Sequence, residues 1–236
     1  MNASKDIELP ITEHIRELRY RLIVILIEVC VVTIISFLFF SEEIMNAIWK
    51  DLLSDVPRVA YAPFEWVIAK LTFSLIFALI IGVPLLIYEI LMFMYPGLYP
   101  KERKFFFKVV PLSFILFIVG VALAYFIAIP LIFKFLLYNA SGVATVKLSI
   151  QKTFSIITSL IIGFGLVFQF PLLVIFAIKS EIINYKQLKD QRITVYLLLL
   201  GFAMIVAPDL SGISQLLILM VLAILFEFSL FIARYI

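Results

Sequence analysis

Charge is scarce in this chain. Only 15% of its 236 residues are Asp, Glu, Lys or Arg, where a water-soluble domain carries about 25%. So thin a charged layer cannot coat a water-facing surface, which excludes an ordinary soluble fold. Cysteine and histidine are scarcer still. A single Cys30 rules out an internal disulfide and any cysteine-based metal site, and a single His14 cannot build a metal cluster. His14 is read as an interfacial or capping residue. Enzyme signatures are missing: there is no nucleophile elbow, no phosphate-binding loop, no HExxH pair and no carboxylate pair beside a histidine. No enzymatic activity, cofactor or metal is therefore expected. The chain also lacks internal repeats, low-complexity tracts and linker-like stretches, so residues 1–236 read as one domain.

Apolar residues are what the chain has in excess. They make up 64% of it, with a mean hydropathy of +1.18, so the bilayer must be the solvent for most of its surface. Six apolar spans stand out: Leu22–Phe40, Leu71–Met94, Val109–Ile129, Phe154–Ile178, Ile193–Ala207 and Ile213–Ile232. Most reach the roughly 20 residues needed to cross about 30 Å of hydrocarbon. The fifth covers only about 22 Å at 1.5 Å per residue, which implies local thinning or shelter among longer helices. The expected fold is an all-α membrane protein with six transmembrane helices.

The net charge of +3 reflects loops at one membrane face, and no nucleic-acid partner is expected. Four Lys or Arg precede the first span, four lie at 101–108, four at 179–192, and Arg234 closes the chain. The alternate segments hold only Lys50, Arg58, Lys70, Lys134, Lys147 and Lys152. That 13-to-6 split places both termini in the cytoplasm. Residues 1–10 read as a loose tail, with Thr12 as a helix N-cap. Ile11, Ile15, Leu18 and Leu22 form an apolar stripe opposite Glu13, Arg16, Glu17 and Arg21, an interfacial helix leading into the first span. Ile44, Ala47, Ile48, Trp49 and Leu52 recur at helical spacing beside Glu42, Glu43, Lys50 and Asp51. This predicts a short amphipathic helix capping the outer face, with Pro57 and Pro63 breaking the chain behind it.

Polar groups inside apolar spans carry the most information, because burying them is unfavourable unless they are paired or used. Glu28, Glu89, Gln169 and Glu227 are such groups. Glu28 has no partner legible in the sequence, which leaves a protonated acid or a pairing with another subunit. Glu89 and Glu227 lie one or two turns from span ends, within reach of headgroups. Gln169 is followed by Pro171, which removes a backbone donor and predicts a bend in the fourth span. Its amide suits either an interhelical hydrogen bond or a functional contact.

Three segments carry a family resemblance. HIRELRYR from His14 to Arg21 is similar to the H-L-x-E-L-R-x-R of TatC, the multi-spanning subunit of the twin-arginine protein translocase. FMYPGLYPKER from Phe93 to Arg103 resembles that family's F-x-x-P-G-L-Y-x-x-E-R loop. APDLSGISQ from Ala207 to Gln215 resembles its T-P-P-D…S-Q segment. Weaker matches are PFE at 63–65 leading to KLTF at 70–73, GVALAYF at 120–126 with Pro130, FQFP at 168–171 and LFE at 225–227. Order and spacing agree over nearly the whole chain. The chain departs at Gln169, where many members carry Glu, and at Pro208-Asp209, where the family has P-P-D.

The resemblance implies a receptor for signal peptides bearing consecutive arginines, exporting folded precursor proteins across the cell membrane. A guanidinium presents a planar fork of donors that a carboxylate accepts bidentately and that lysine cannot copy. Glu17 and Glu102 are the implied acceptors, with Arg19 and Arg21 orienting them or touching headgroups. Phe93, Pro96, Leu98 and Tyr99 would shape the loop. A bland reading stands beside this one: Glu17 precedes Arg21 by four, the favourable order for a helix ion pair, and Glu102 has Lys101 and Arg103 beside it. The bent fourth span suggests a groove for the peptide's apolar segment or a single-span partner. Its contact residues would be Gln169, Pro171, Tyr125, Asp209, Gln215 and Glu227. The implied partners are TatA-type single-span proteins, a TatB where one exists, the lipid bilayer, and further copies of the chain. A small-solute secondary transporter and a passive scaffold are the rival classes.

Overall fold

The computed structural model describes residues 11–54, 56–94, 100–141, 147–179, 185–206 and 212–233. Within these, ten α-helices follow one another. The first is α1 (Ile11–Ile35), joined through a π turn at Ser36–Phe40 to α2 (Ser41–Leu52). Then come α3 (Glu65–Met94), α4 (Pro100–Leu123) and, after a second π turn at Ala124–Ala128, α5 (Ile129–Ser141). The last five are α6 (Ile150–Val167), α7 (Phe170–Lys179), α8 (Tyr185–Asp190), α9 (Arg192–Val206) and α10 (Ile213–Ala233). Five stretches are long and apolar enough to cross a membrane, and α9 is a sixth, shorter apolar helix. The chain is an all-α membrane protein with six membrane-crossing segments.

Several local features differ from the sequence expectations. The interfacial helix and the first span are one continuous helix, and Thr12 already lies inside it instead of capping it. The apolar stripe never breaks phase there, so nothing ends the helix. The third span runs on without interruption to Ser141, well past Ile129. Pro130 has no N–H to give the carbonyl four residues back, and its ring crowds that turn. The helix widens instead of stopping: the Ile129 N–H reaches the Ala124 carbonyl, five residues away. The two segments that follow the first and third spans also meet. Arg58–Val59 (β1) pairs in parallel with Leu148–Ser149 (β2), two-residue strands too short for a periodicity signal. The amphipathic helix at 44–52 is present as α2, and it buries Met45, Ile48 and Trp49.

The core centres on α6, which packs against α3 and α4, while α10 packs against α7 and α9. Phe154, Ile157, Leu160 and Phe164 of α6 and Ile218, Leu222 and Phe226 of α10 are fully buried. Association of helices in lipid relies on close backbone approach, which small residues permit. At Gly120 an added Cβ would lie 2.6 Å from the Phe164 carbonyl oxygen, and at Gly165 one would lie 2.4 Å from the Phe117 ring. The outward face of α1 is apolar and exposed, with Leu26 at 62% and Ile34 at 60%, as lipid contact requires. The bundle thus has two ends. One, the near end, holds the start of α1, the end of α3 and the starts of α4 and α9. The other, the far end, holds α2 and the β1–β2 pair.

Candidate functional site: an acid–arginine clamp and an apolar cavity

At the near end Arg21 is gripped by two helices. Its Nη2 lies 2.6 Å and its Nε 3.2 Å from Glu17 Oε1, one turn earlier on α1. Its Nη1 lies 2.7 Å from Glu89 Oε2 on α3 and also donates to the Glu89 carbonyl at 3.5 Å. The side chains are 18%, 30% and 16% exposed for Arg21, Glu17 and Glu89. Water is therefore partly excluded, and the opposite charges attract more strongly than in an open surface pair. With one cation between two carboxylates, the cluster keeps a net negative charge. Glu17 is its more exposed acid, and both bonds from Arg21 converge on a single Glu17 oxygen. The ion pair with Arg21 is thus present, and it leaves Glu17 partly exposed. Glu89 turns inward to this clamp, not outward to headgroups.

The other expected residues of this end are placed unevenly. Arg19 is exposed, and Phe93 sits partly buried in the last turn of α3. Glu102 occupies the first turn of α4, behind Pro100 at the first helical position, where the helix dipole favours an acid. Its side chain lies outside the described residues, as do those of His14, Pro96, Leu98, Tyr99 and Asp209. Since α3 ends at Met94 and α4 begins at Pro100, Glu102 belongs to the same end as Glu17 and Glu89. A second cluster stands where α9 begins and α10 ends. There Tyr196 donates to Glu227 Oε1 at 2.7 Å, and Arg192 Nη2 lies 3.2 Å from Glu227 Oε2.

The fourth span is broken where the sequence places Gln169. Helix α6 stops at Val167, two residues form a turn, and α7 starts at Phe170 with Pro171 in its first turn. Pro171 lacks the N–H that would continue the ladder, and the Gln169 carbonyl instead accepts from Leu172 and Leu173, each at 3.1 Å. The Gln169 side chain is 8% exposed and reaches across to α4. Ser113 Oγ donates to Gln169 Oε1 at 2.8 Å, and Gln169 Nε2 donates to the Ser113 carbonyl at 3.1 Å. Both ends of the amide are satisfied, so the interhelical hydrogen bond is real.

Gln169 also borders a cavity of about 640 Å³ between α3, the α6–α7 break, α9 and α10. Its walls are apolar, among them Leu86, Phe170, Leu173, Leu198, Phe202 and Leu222. The short α9 supplies one wall. Not every expected groove residue joins it. Tyr125 lies elsewhere, in the π turn of the third span, and donates to Asp51 of α2 at 2.7 Å. Glu227 is held by its own cluster, Gln215 opens α10, and Pro171 shapes the break without lining the cavity. Sequence reasoning missed Ser113, Asp51, Tyr196 and Arg192 as partners. Each is ordinary in isolation, and only a fold brings it within reach.

Comparison with known proteins decides the family. The family model described as Sec-independent protein translocase protein (TatC) matches residues 13–221. The chain belongs to the TatC family. A Methanocella arvoryzae protein named TatC is 41% identical over 98% of this chain and 95% of its own length. A TatC of Aquifex aeolicus is 33% identical over 96% of this chain and 95% of its own. Among solved structures, the twin arginine translocase receptor TatC crystallised in DDM superposes with a TM-score of 0.83 at 31% identity. That match covers 93% of this chain and 99% of the crystallised one. This TatC-family chain is thus a multi-pass membrane component of a protein translocase, which does not favour the small-solute transporter.

Proposed function

We propose that this chain is the receptor subunit of a twin-arginine translocase, a single domain in the cell membrane with both termini cytoplasmic. The observation that carries the reading is full-length similarity to TatC proteins, joined to an acid-rich clamp at the near end. In this reading the near end is the cytoplasmic face, in keeping with the 13-to-6 distribution of Lys and Arg. The two arginines of a signal peptide bind Glu17 and Glu102, and Arg21 positions Glu17 by fixing one of its oxygens. Arg19 adds to the local field, while Phe93, Pro96, Leu98 and Tyr99 set the shape of the loop that carries Glu102. The apolar cavity beside Gln169 and the α6–α7 break takes an apolar segment of the peptide or of a TatA-type single-span partner. A TatB, where present, and further copies of the chain complete the assembly that exports folded precursors. Pro171 serves this assembly by shaping the α6–α7 break, while Tyr125, Gln215 and Glu227 serve it as partner contacts away from the cavity, and Asp209 as a further partner contact.

The test is peptide affinity in nanodiscs. A charge-assisted pair contributes about 1.5–3 kcal/mol. Glu17→Ala and Glu102→Ala should therefore each weaken a twin-arginine peptide by roughly ten- to a hundredfold. A twin-lysine analogue should bind poorly throughout, and binding should weaken as salt rises. Two folded single mutants with full affinity would move the receptor site elsewhere. Orientation is checked separately by cysteine labelling in intact cells. An impermeant reagent should react at Ser141→Cys and not at a cysteine placed at residue 3.

A further inference from the structure

Glu28 lies on α1 seven residues beyond Arg21, about two helical turns deeper into the apolar length. Both of its carboxyl oxygens are buried with no hydrogen-bond partner among the described residues. Its head group rests against α3 at Gly82, where an added Cβ would lie 2.6 Å from Glu28 Oε2. Only glycine leaves that space open. On α3 no titratable residue lies between Lys70 and Tyr88, and the turns beside Gly82 carry Ala78, Leu79, Val83 and Leu86. On α1 the nearest cation is Arg21, already engaged by Glu17 and Glu89. The nearest titratable group is Cys30, which is exposed. Among the described residues no cation and no hydrogen-bond donor reaches this carboxyl, which disfavours the ion there, whereas the neutral acid is tolerated.

We propose that Glu28 is an intramembrane proton-binding site on the α1–α3 seam, holding its proton while the helices are packed and releasing it only as the carboxyl leaves the cleft at Gly82. This is independent of the receptor reading, since it uses neither the near-end clamp nor the cavity beside Gln169. The site also has a chemical signature. A protonated acid in apolar surroundings reacts with an apolar carbodiimide. The carboxyl oxygen bonds to the central carbon, and the acid proton passes to a nitrogen. The O-acylisourea then rearranges by an O-to-N acyl shift to a stable N-acylurea, and no group leaves.

Two measurements on the full chain in lipid nanodiscs test the proposal. Infrared difference spectra of wild type against Glu28→Gln should show a protonated-acid C=O stretch at pH 7 that the variant lacks. Where Glu28→Gln does not fold, Glu28→Asp should keep the band at a shifted frequency. Dicyclohexylcarbodiimide, read by peptide mass spectrometry, should modify Glu28 about tenfold more than Glu17, Glu65 or Glu89, the factor that about 1.4 kcal/mol supplies. A water-soluble carbodiimide should reverse that order. Gly82→Ala should push the carboxyl out of the cleft and lower its preference for the apolar reagent. A purely carboxylate signal from Glu28 at pH 7, or equal modification by the two reagents, overturns the proposal.

Discussion

Glu89 lies in none of the motifs that resemble the TatC family, yet the geometry gives it a measurable part in binding. Arg21 divides its donors between Glu17 Oε1 at 2.6 Å and Glu89 Oε2 at 2.7 Å. Replacing Glu89 by Gln keeps the shape and an acceptor oxygen but removes one negative charge. Arg21 then neutralises Glu17 alone, and the cluster changes from net negative to neutral. The two carboxylates flank one guanidinium, so a second cation arriving at Glu17 loses an attraction to Glu89 that, for unit charges about 8 Å apart at an effective dielectric of about 20, is about 2 kcal/mol. Screening at physiological salt lowers this to about 1 kcal/mol, because the cluster is partly wet. Glu89→Gln should therefore weaken a twin-arginine peptide about five- to tenfold at 0.15 M salt, and more at low salt. The assay is fluorescence anisotropy of a labelled peptide against nanodisc-embedded protein over a salt series, with thermal melting as the folding control. The double variant Arg21→Gln, Glu89→Gln should recover part of the loss, since it leaves Glu17 unneutralised. If Glu89→Gln binds like wild type at every salt concentration while folded, the field of the clamp has no role in peptide capture.

Three further outcomes follow from packing. Gln169→Leu strands Ser113 beside an apolar group and should destabilise the protein by about 1–3 kcal/mol, seen as a lower Tm in detergent; Gln169→Glu can still accept from Ser113 Oγ and should lose less. Gly165→Ala drives a methyl to 2.4 Å from Phe117, and Gly120→Ala drives one to 2.6 Å from a backbone carbonyl. Each should be destabilised by about 1–3 kcal/mol in a melt, while Gly201→Ala, with nothing within 4 Å, should be neutral or better. Spin labels at Ile193 and Ile205, the ends of the short α9, should differ in depth by about 20 Å at most, and a full 30 Å of hydrocarbon between them would contradict its length.

The parts of this fold legible in the sequence are those with a one-dimensional signature. A span of about 20 apolar residues has few alternatives in lipid, because every backbone polar group must be satisfied within the segment. All six spans could therefore be placed from Leu22 onward. The break at Gln169 was readable for the same reason: Pro171 removes a specific donor, whatever packs beside it. What stayed hidden depends on pairs distant in sequence. Glu89 and Glu227 look alike as acids near span ends, and snorkelling to headgroups is the reading for either one alone. Only the packing of α1 on α3 gives Glu89 to Arg21, and only that of α9 on α10 gives Glu227 to Tyr196 and Arg192. Glu28 obeys the opposite logic. Its neighbours in sequence offer no partner, and none reaches it in space among the described residues, while Glu89 and Glu227 have each found a cation. The difference is depth. Glu89 and Glu227 sit where arginines can follow them, whereas a second cation drawn down to Glu28 would itself need burial. A proton needs no such burial, which is the physical reason the neutral acid is the form proposed for Glu28.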